Sequence, residues 1–137
     1  MKLPILTIPI QYEEDVVTVR QKARAIAGNL GFETLDETHI ATSVSEIARN
    51  AFNYAGGGKV EFFLEGCTSP QVLVIRIEDQ GPGIPELKTI LSGAYKSRTG
   101  MGQGILGARR LMDQFRIESS PGGGTSVSLK SPAPRRR

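Results

Sequence analysis

Two neighbouring segments of this chain, KVEFFLE (59–65) and VLVIRIED (72–79), alternate apolar and polar residues, and nothing else in the sequence constrains the fold as much. Successive side chains of a strand point to opposite faces. Val60, Phe62 and Leu64 therefore share one face, as do Leu73, Ile75 and Ile77, while Glu61, Glu65, Arg76 and Glu78 turn away. The linker EGCTSPQ reads as a hairpin connection. One side of such a sheet is buried and the other is wet, so a second layer covers one face only.

Helical periodicity supplies that layer. A first helix is expected from about Glu13 to Leu30, closed by Gly31, and a second from about Asp36 to Ala55, with Asp36 as N-cap and Gly56 to Gly58 ending it. LPILTIPI (3–10) reads as a strand whose prolines suit a sheet edge. Further on come a short helix near Pro85–Leu91, a glycine-containing stretch SGAYKSRTGMGQ, a helix GILGARRLMDQF, and the strands FRIESS and GTSVSLK joined by PGGG. The order β-α-α-β-β-loop-α-β-β predicts an α/β two-layer sandwich: a mixed, mostly antiparallel sheet with about three helices on one face. A chain of 137 residues has room for one such domain, expected at 1–130, with SPAPRRR (131–137) as a disordered tail.

Composition narrows the function. Lys and Arg total 17 against 14 acids, and Arg135, Arg136 and Arg137 supply the whole excess, so no basic stripe suggests nucleic acid. No apolar run approaches the ~20 residues of a membrane helix, and the N-terminus lacks signal-peptide features, which predicts a cytoplasmic protein with no membrane partner. The single Cys67 cannot form an internal disulfide and reads as a free thiol.

Three stretches carry candidate chemistry. At about 100° per residue, Glu46, Asn50 and Asn53 fall within an arc of roughly 60° on the second helix, opposite Ile40, Val44, Ile47, Ala51 and Ala55. Such a row is either a solvated face or a set of oxygen ligands for Mg²⁺. Asp79 has the parity of Leu73, Ile75 and Ile77, so a carboxylate points into the apolar layer, where it needs a polar partner such as an adenine amino group. Gly81 and Gly83 follow around a proline, allowing close approach of a ligand to the backbone. Thr125 repeats the inward parity on the last strand and is either a ligand contact or an ordinary strand residue. In the third stretch, GQGILG matches a dinucleotide fingerprint, but no strand precedes it and no βαβ unit follows. What remains is a run of glycines at 100, 102 and 104 leading into a helix N-terminus, a place for phosphates, with Lys96 and Arg98 either meeting phosphate charge or simply exposed.

With these pieces in order, the sequence resembles the GHKL (Bergerat-fold) ATPases, and within them the bacterial anti-sigma and switch serine/threonine kinases. ExxRNxxNYA is similar to the N box of that family, DQGPGI to its first glycine box, TGMGQGILG to its second and GGGT to its last. The resemblance implies a protein serine/threonine kinase using ATP/ADP and Mg²⁺, with Glu46 as general base and Asn50 as the metal residue. It further implies nucleotide binding by Asn50, Asn53, Asp79, Gly81, Gly83, Ile84, Thr99, Gly100, Met101, Gly102, Gln103, Gly104 and Thr125. Likeness to the switch kinases implies phosphorylation of a STAS-domain antagonist and binding of a metal-dependent phosphatase or a sigma factor; the alternative reading is an anti-sigma factor or nucleotide-dependent binding module that sequesters a partner with little kinase activity. Tyr54 stands where related anti-sigma kinases often have His.

Overall fold

The alternating segments pair as their pattern requires: Val60 faces Ile77 and Phe62 faces Ile75 across strands β2 (Gly58–Glu65) and β3 (Val72–Asp79). The chain is seen in a computed structural model that describes residues 2–66, 71–84 and 101–134, with the backbone alone at 101–103. The other elements are β1 (Lys2–Ile10), α1 (Glu13–Asn29), α2 (Thr34–Ala55), α3 (Met101–Leu111), β4 (Gln114–Ser120) and β5 (Gly124–Pro132). The strand order is β1-β2-β3-β5-β4, and all four pairings are antiparallel. The parallel component that a mixed sheet allows is absent among the described strands.

Helix α2 is the centre of the covering layer and packs against α1, α3 and the inner face of the sheet. Ile40, Val44, Ile47 and Ala51 are buried as the periodicity predicts, but so are Ala41, Ser43, Ser45 and Ala48. With a helix on each side, only a narrow strip of α2 remains for polar groups. Beneath it, Phe62, Leu73, Ile75 and Leu129 are wholly buried, whereas Arg76, Lys59 and Glu118 occupy the helix-free face.

Several expected boundaries move. Helix α2 starts at Thr34 rather than Asp36: the Glu33 carbonyl accepts the Glu37 N–H, so Asp36 and Glu37 sit in the first turn, where their charge favours the helix dipole. Helix α1 ends at Asn29, with Gly31 in the left-handed region as expected for a glycine closing a helix. Helix α3 begins at Met101, three residues before the expected start, and stops at Leu111, so Phe115 belongs to β4. The helix expected at Pro85–Leu91, most of the stretch 92–103, Cys67 and residues 135–137 lie outside the described residues.

The expected tail needs correction. Strand β5 continues to Pro132; the buried Ser131 hydroxyl donates to Asp113 Oδ2 at 2.5 Å, and the Ala133 N–H donates to the Gln71 carbonyl at 2.7 Å. Residues 131–134 are thus part of the fold, because strand pairing and a buried hydrogen bond hold them where composition alone suggested a loose end.

Candidate active site

Antiparallel register assembles the site. Asp79 at the end of β3 pairs with Thr125 of β5, which pairs with Ser119 of β4. One step below lies the row Ile77, Val127 and Ile117. A polar row therefore crosses three strands on a face that is otherwise mostly apolar. The parity argument for Asp79 and Thr125 matches this placement; Ser119 is a third member that it did not include.

Hydrogen bonds fix the row. Asp79 Oδ1 accepts the backbone N–H of Gly81 at 2.9 Å and that of Thr125 at 3.2 Å. Among the described residues both bonds fall on one oxygen, leaving Oδ2 as the acceptor on offer to a ligand. Ser119 Oγ accepts the Ile84 N–H at 2.7 Å and lies 3.0 Å from Thr125 Oγ1. The Gly122 N–H donates to the Pro82 carbonyl at 3.0 Å, so the loop after β3 is pinned to the β4–β5 turn at two points. Gly83 makes this docking possible: its φ is +83°, and a side chain there would run into the Ser120 carbonyl.

Above the row is a cleft. Ile47, Asn50, Ala51 and Tyr54 of α2, Ile105 of α3, and Pro82, Gly83 and Ile84 of the loop form its walls, with Ile77, Asp79, Ile117, Thr125 and Val127 as its floor. Apolar walls around a few convergent polar groups suit a flat, amphipathic ligand such as a purine.

At the mouth of the cleft, α2 presents its polar strip to α3. Glu46 Oε1 accepts from Arg49 Nη1 at 3.1 Å, and Glu46 Oε2 would lie 3.1 Å from a Cβ on Gly104. The Asn50 amide is 3.8 Å from the same point. Glycine at 104 lets the first turns of α3, with their free amides, come directly against the Glu46–Asn50 pair. The Asn50 Nδ2 is buried without a hydrogen-bond partner among the described residues. An orphaned amide aimed at a helix N-terminus fits a site completed by a ligand. Since the amide can turn to present oxygen instead of nitrogen, it also fits a hard cation shared with phosphates. The described residues contain no group of three or more His, Cys, Asp or Glu side chains able to hold a metal by themselves.

Of the residues singled out in the sequence, Asn50, Asp79, Gly83, Ile84 and Thr125 line the one cleft, and Gly81 abuts it through Ala55 and Asp79. Glu46 and Gly104 meet at its edge. Asn53 is exposed and does not line the cleft. Met101, Gly102 and Gln103 form the first turn of α3, and Thr99 and Gly100 lie outside the described residues. Besides Ser119, the sequence reading gave no place to Tyr54, Ile105 or Ile117, all three in the cleft wall or floor. Ser119 carried a signal: it has the parity of Phe115 and Ile117 in an alternating strand.

The model of the histidine kinase-, DNA gyrase B-, and HSP90-like ATPase family matches residues 35–135. The chain belongs to this ATPase family. Serine/threonine-protein kinase RsbT of Bacillus subtilis (strain 168) is 39% identical to it over 120 residues, 88% of this chain and 90% of that one. An anti-sigma F factor of Bacillus licheniformis is 33% identical over 104 residues, 70% of each chain. Among solved structures, the RsbU and RsbW domains of a Mycobacterium tuberculosis protein align with a TM-score of 0.66 at 19% identity, covering 99% of this chain and 33% of that one, a likeness of fold. By family and by its likeness to RsbT along most of its length, this ATPase-family member is an enzyme of the serine/threonine-kinase branch. No helix among its described residues is long and apolar enough to cross a membrane.

Proposed function

We propose that this kinase works in a bacterial partner-switching pathway, moving the γ-phosphate of ATP to a hydroxyl of a STAS-domain antagonist and then engaging a regulatory phosphatase. The observation that carries the reading is the meeting of Glu46 and Asn50 with the N-terminus of α3 across Gly104. Adenine lies between Ile47, Ala51 and the loop at 82–84, its amino group donating to Asp79 Oδ2 and its ring edge facing Thr125. The phosphates then reach the amides at the start of α3, where the helix dipole favours negative charge. Magnesium, when bound, supplies neutralising charge to the phosphates, and Asn50 is the side chain that would hold it. Glu46 accepts the proton of the attacking hydroxyl, a need that distinguishes a hydroxyl acceptor from an imidazole. Arg49 holds Glu46 Oε1, leaving Oε2 toward the phosphate side.

Likeness to anti-sigma F factors supports a second reading, in which the protein is an anti-sigma factor or nucleotide-dependent binding module that sequesters a partner with little kinase activity, nucleotide setting the affinity. The two separate in one experiment. The chain is incubated with Mg²⁺ and γ-labelled ATP, with and without a STAS-domain protein. Label on a serine or threonine of the partner, lost in Glu46→Gln while ADP binding persists, is the expected result. Tight complex formation with no label in the wild type overturns the kinase assignment in favour of sequestration.

A further inference from the structure

Resting on the adenine reading above, we infer that Ser119 is a specificity-determining positioning residue: it sets the polarity of the Thr125 hydroxyl so that this group donates to the base. A serine hydroxyl has one proton and two lone pairs. Ser119 Oγ accepts from the Ile84 N–H at 2.7 Å, a donor whose direction is fixed by the backbone. Its own proton has two acceptors in range, Thr125 Oγ1 at 3.0 Å and the Gly124 carbonyl at 3.4 Å. The first distance is that of an ordinary bond and the second is at the limit of one, so the proton goes to Thr125.

The rest follows from valence. Thr125 Oγ1, having accepted from Ser119, has its own proton free for the cleft that it lines. The chain Ile84 N–H to Ser119 O–H to Thr125 O–H presents a donor at its open end, 46 residues along the chain from the acceptor presented by Asp79. Donor and acceptor lie side by side because Thr125 pairs with Asp79 across the sheet. An adenine offers the complement, an amino group that donates next to the ring nitrogen N1 that accepts. A guanine offers the reverse at both atoms, and the cleft would leave two buried groups unsatisfied, a mismatch worth far more than a missing contact. A water between Thr125 and the base passes on the same polarity.

Ser119 touches Thr125 and Ile84, not the ligand, so its effect must be separated from a general loosening of the loop. The probe is a pair of nucleotides, ADP and its 1-deaza analogue, in which N1 is a C–H and all else is kept. Calorimetry on the full chain with Mg²⁺ should show ADP binding about tenfold tighter than the analogue, as one hydrogen bond requires. In Ser119→Ala the Thr125 hydroxyl loses the donor that orients it but keeps a proton that can still turn to N1, so that ratio should narrow by about threefold, and Ser119→Thr, which keeps a hydroxyl, should restore it. If Ser119→Ala does not fold, Ser119→Cys, a weak donor of similar size, should narrow the ratio in the same sense. A structural role alone lowers affinity for both nucleotides and leaves the ratio unchanged, which would overturn the inference. A wild type that binds ADP but does not distinguish the analogue would also overturn it. A wild type with no affinity for ADP overturns the adenine reading itself.

Discussion

Asp79→Asn separates what this residue does for the fold from what it does for the ligand. The two backbone donors, Gly81 and Thr125, both address Oδ1 at 2.9 and 3.2 Å. An asparagine amide keeps an oxygen there, so both bonds persist in weaker, neutral form, at a cost of about 1 kcal/mol in stability. The ligand side is different. Oδ2 becomes an NH₂ group facing the adenine amino group, donor against donor. A lost bond to a charged acceptor is about 1.5–3 kcal/mol, and the unpaired donor in a closed cleft adds about 1–3. Together these give about 2.5–6 kcal/mol, on the order of a hundredfold to ten-thousandfold in Kd. Calorimetric titration with ADP and Mg²⁺, beside a thermal melt of each protein, makes the comparison. A folded Asp79→Asn protein that binds ADP within a few-fold of wild type would refute the assignment of Oδ2 to the purine.

Asn50→Ala should remove the Mg²⁺ dependence of ADP binding while changing stability little, because the Nδ2 it deletes is buried without a partner; binding titrations with and without EDTA read this. Phe62→Ala deletes the largest wholly buried side chain among the described residues and should cost about 3–5 kcal/mol in denaturant unfolding. Asp15 accepts the N–H groups of Gln11 and Tyr12 at the start of α1, and these bonds, that of Gln11 foremost, hold its pKa below the ordinary 3.8 against a slight opposing effect of burial. A depressed pKa contributes stability above the unfolded value that is lost as pH falls through the folded one. The gap in thermal midpoint between wild type and Asp15→Ala should therefore be open at neutral pH and close as pH drops below 3.8.

How far the sequence announced this site depends on the kind of signal each residue carries. Asp79 stood out because a carboxylate broke an apolar parity, and the structure places it in the floor of the cleft. Ser119 obeyed the same parity in FRIESS but is small and common in strands, so only its register opposite Thr125 reveals it. The row Glu46, Asn50, Asn53 was legible as a helical face. That Asn50 is covered while Asn53 is exposed depends on where α3 lands, which periodicity does not determine. The start of α3 was misread for a related reason: glycines at 102 and 104 argue against helix by propensity, and packing of Ile105 and Ala108 against α2 overrides them. Helix α2 and the β2–β3 hairpin were read nearly to the residue, since their long, clean periods tolerate no alternative register.

The end of β5 bears on how this protein is handled in the laboratory. Shortening the gene at codon 130, which the proline- and arginine-rich terminus invites, would strip the Asp113 carboxylate of its serine and the Gln71 carbonyl of its amide. Affinity tags appended beyond Pro134 spare both interactions, whereas a fusion spliced in before Ser131 should yield material that melts earlier, and its weakened nucleotide affinity would then report damage at the far edge of the sheet instead of any property of the cleft.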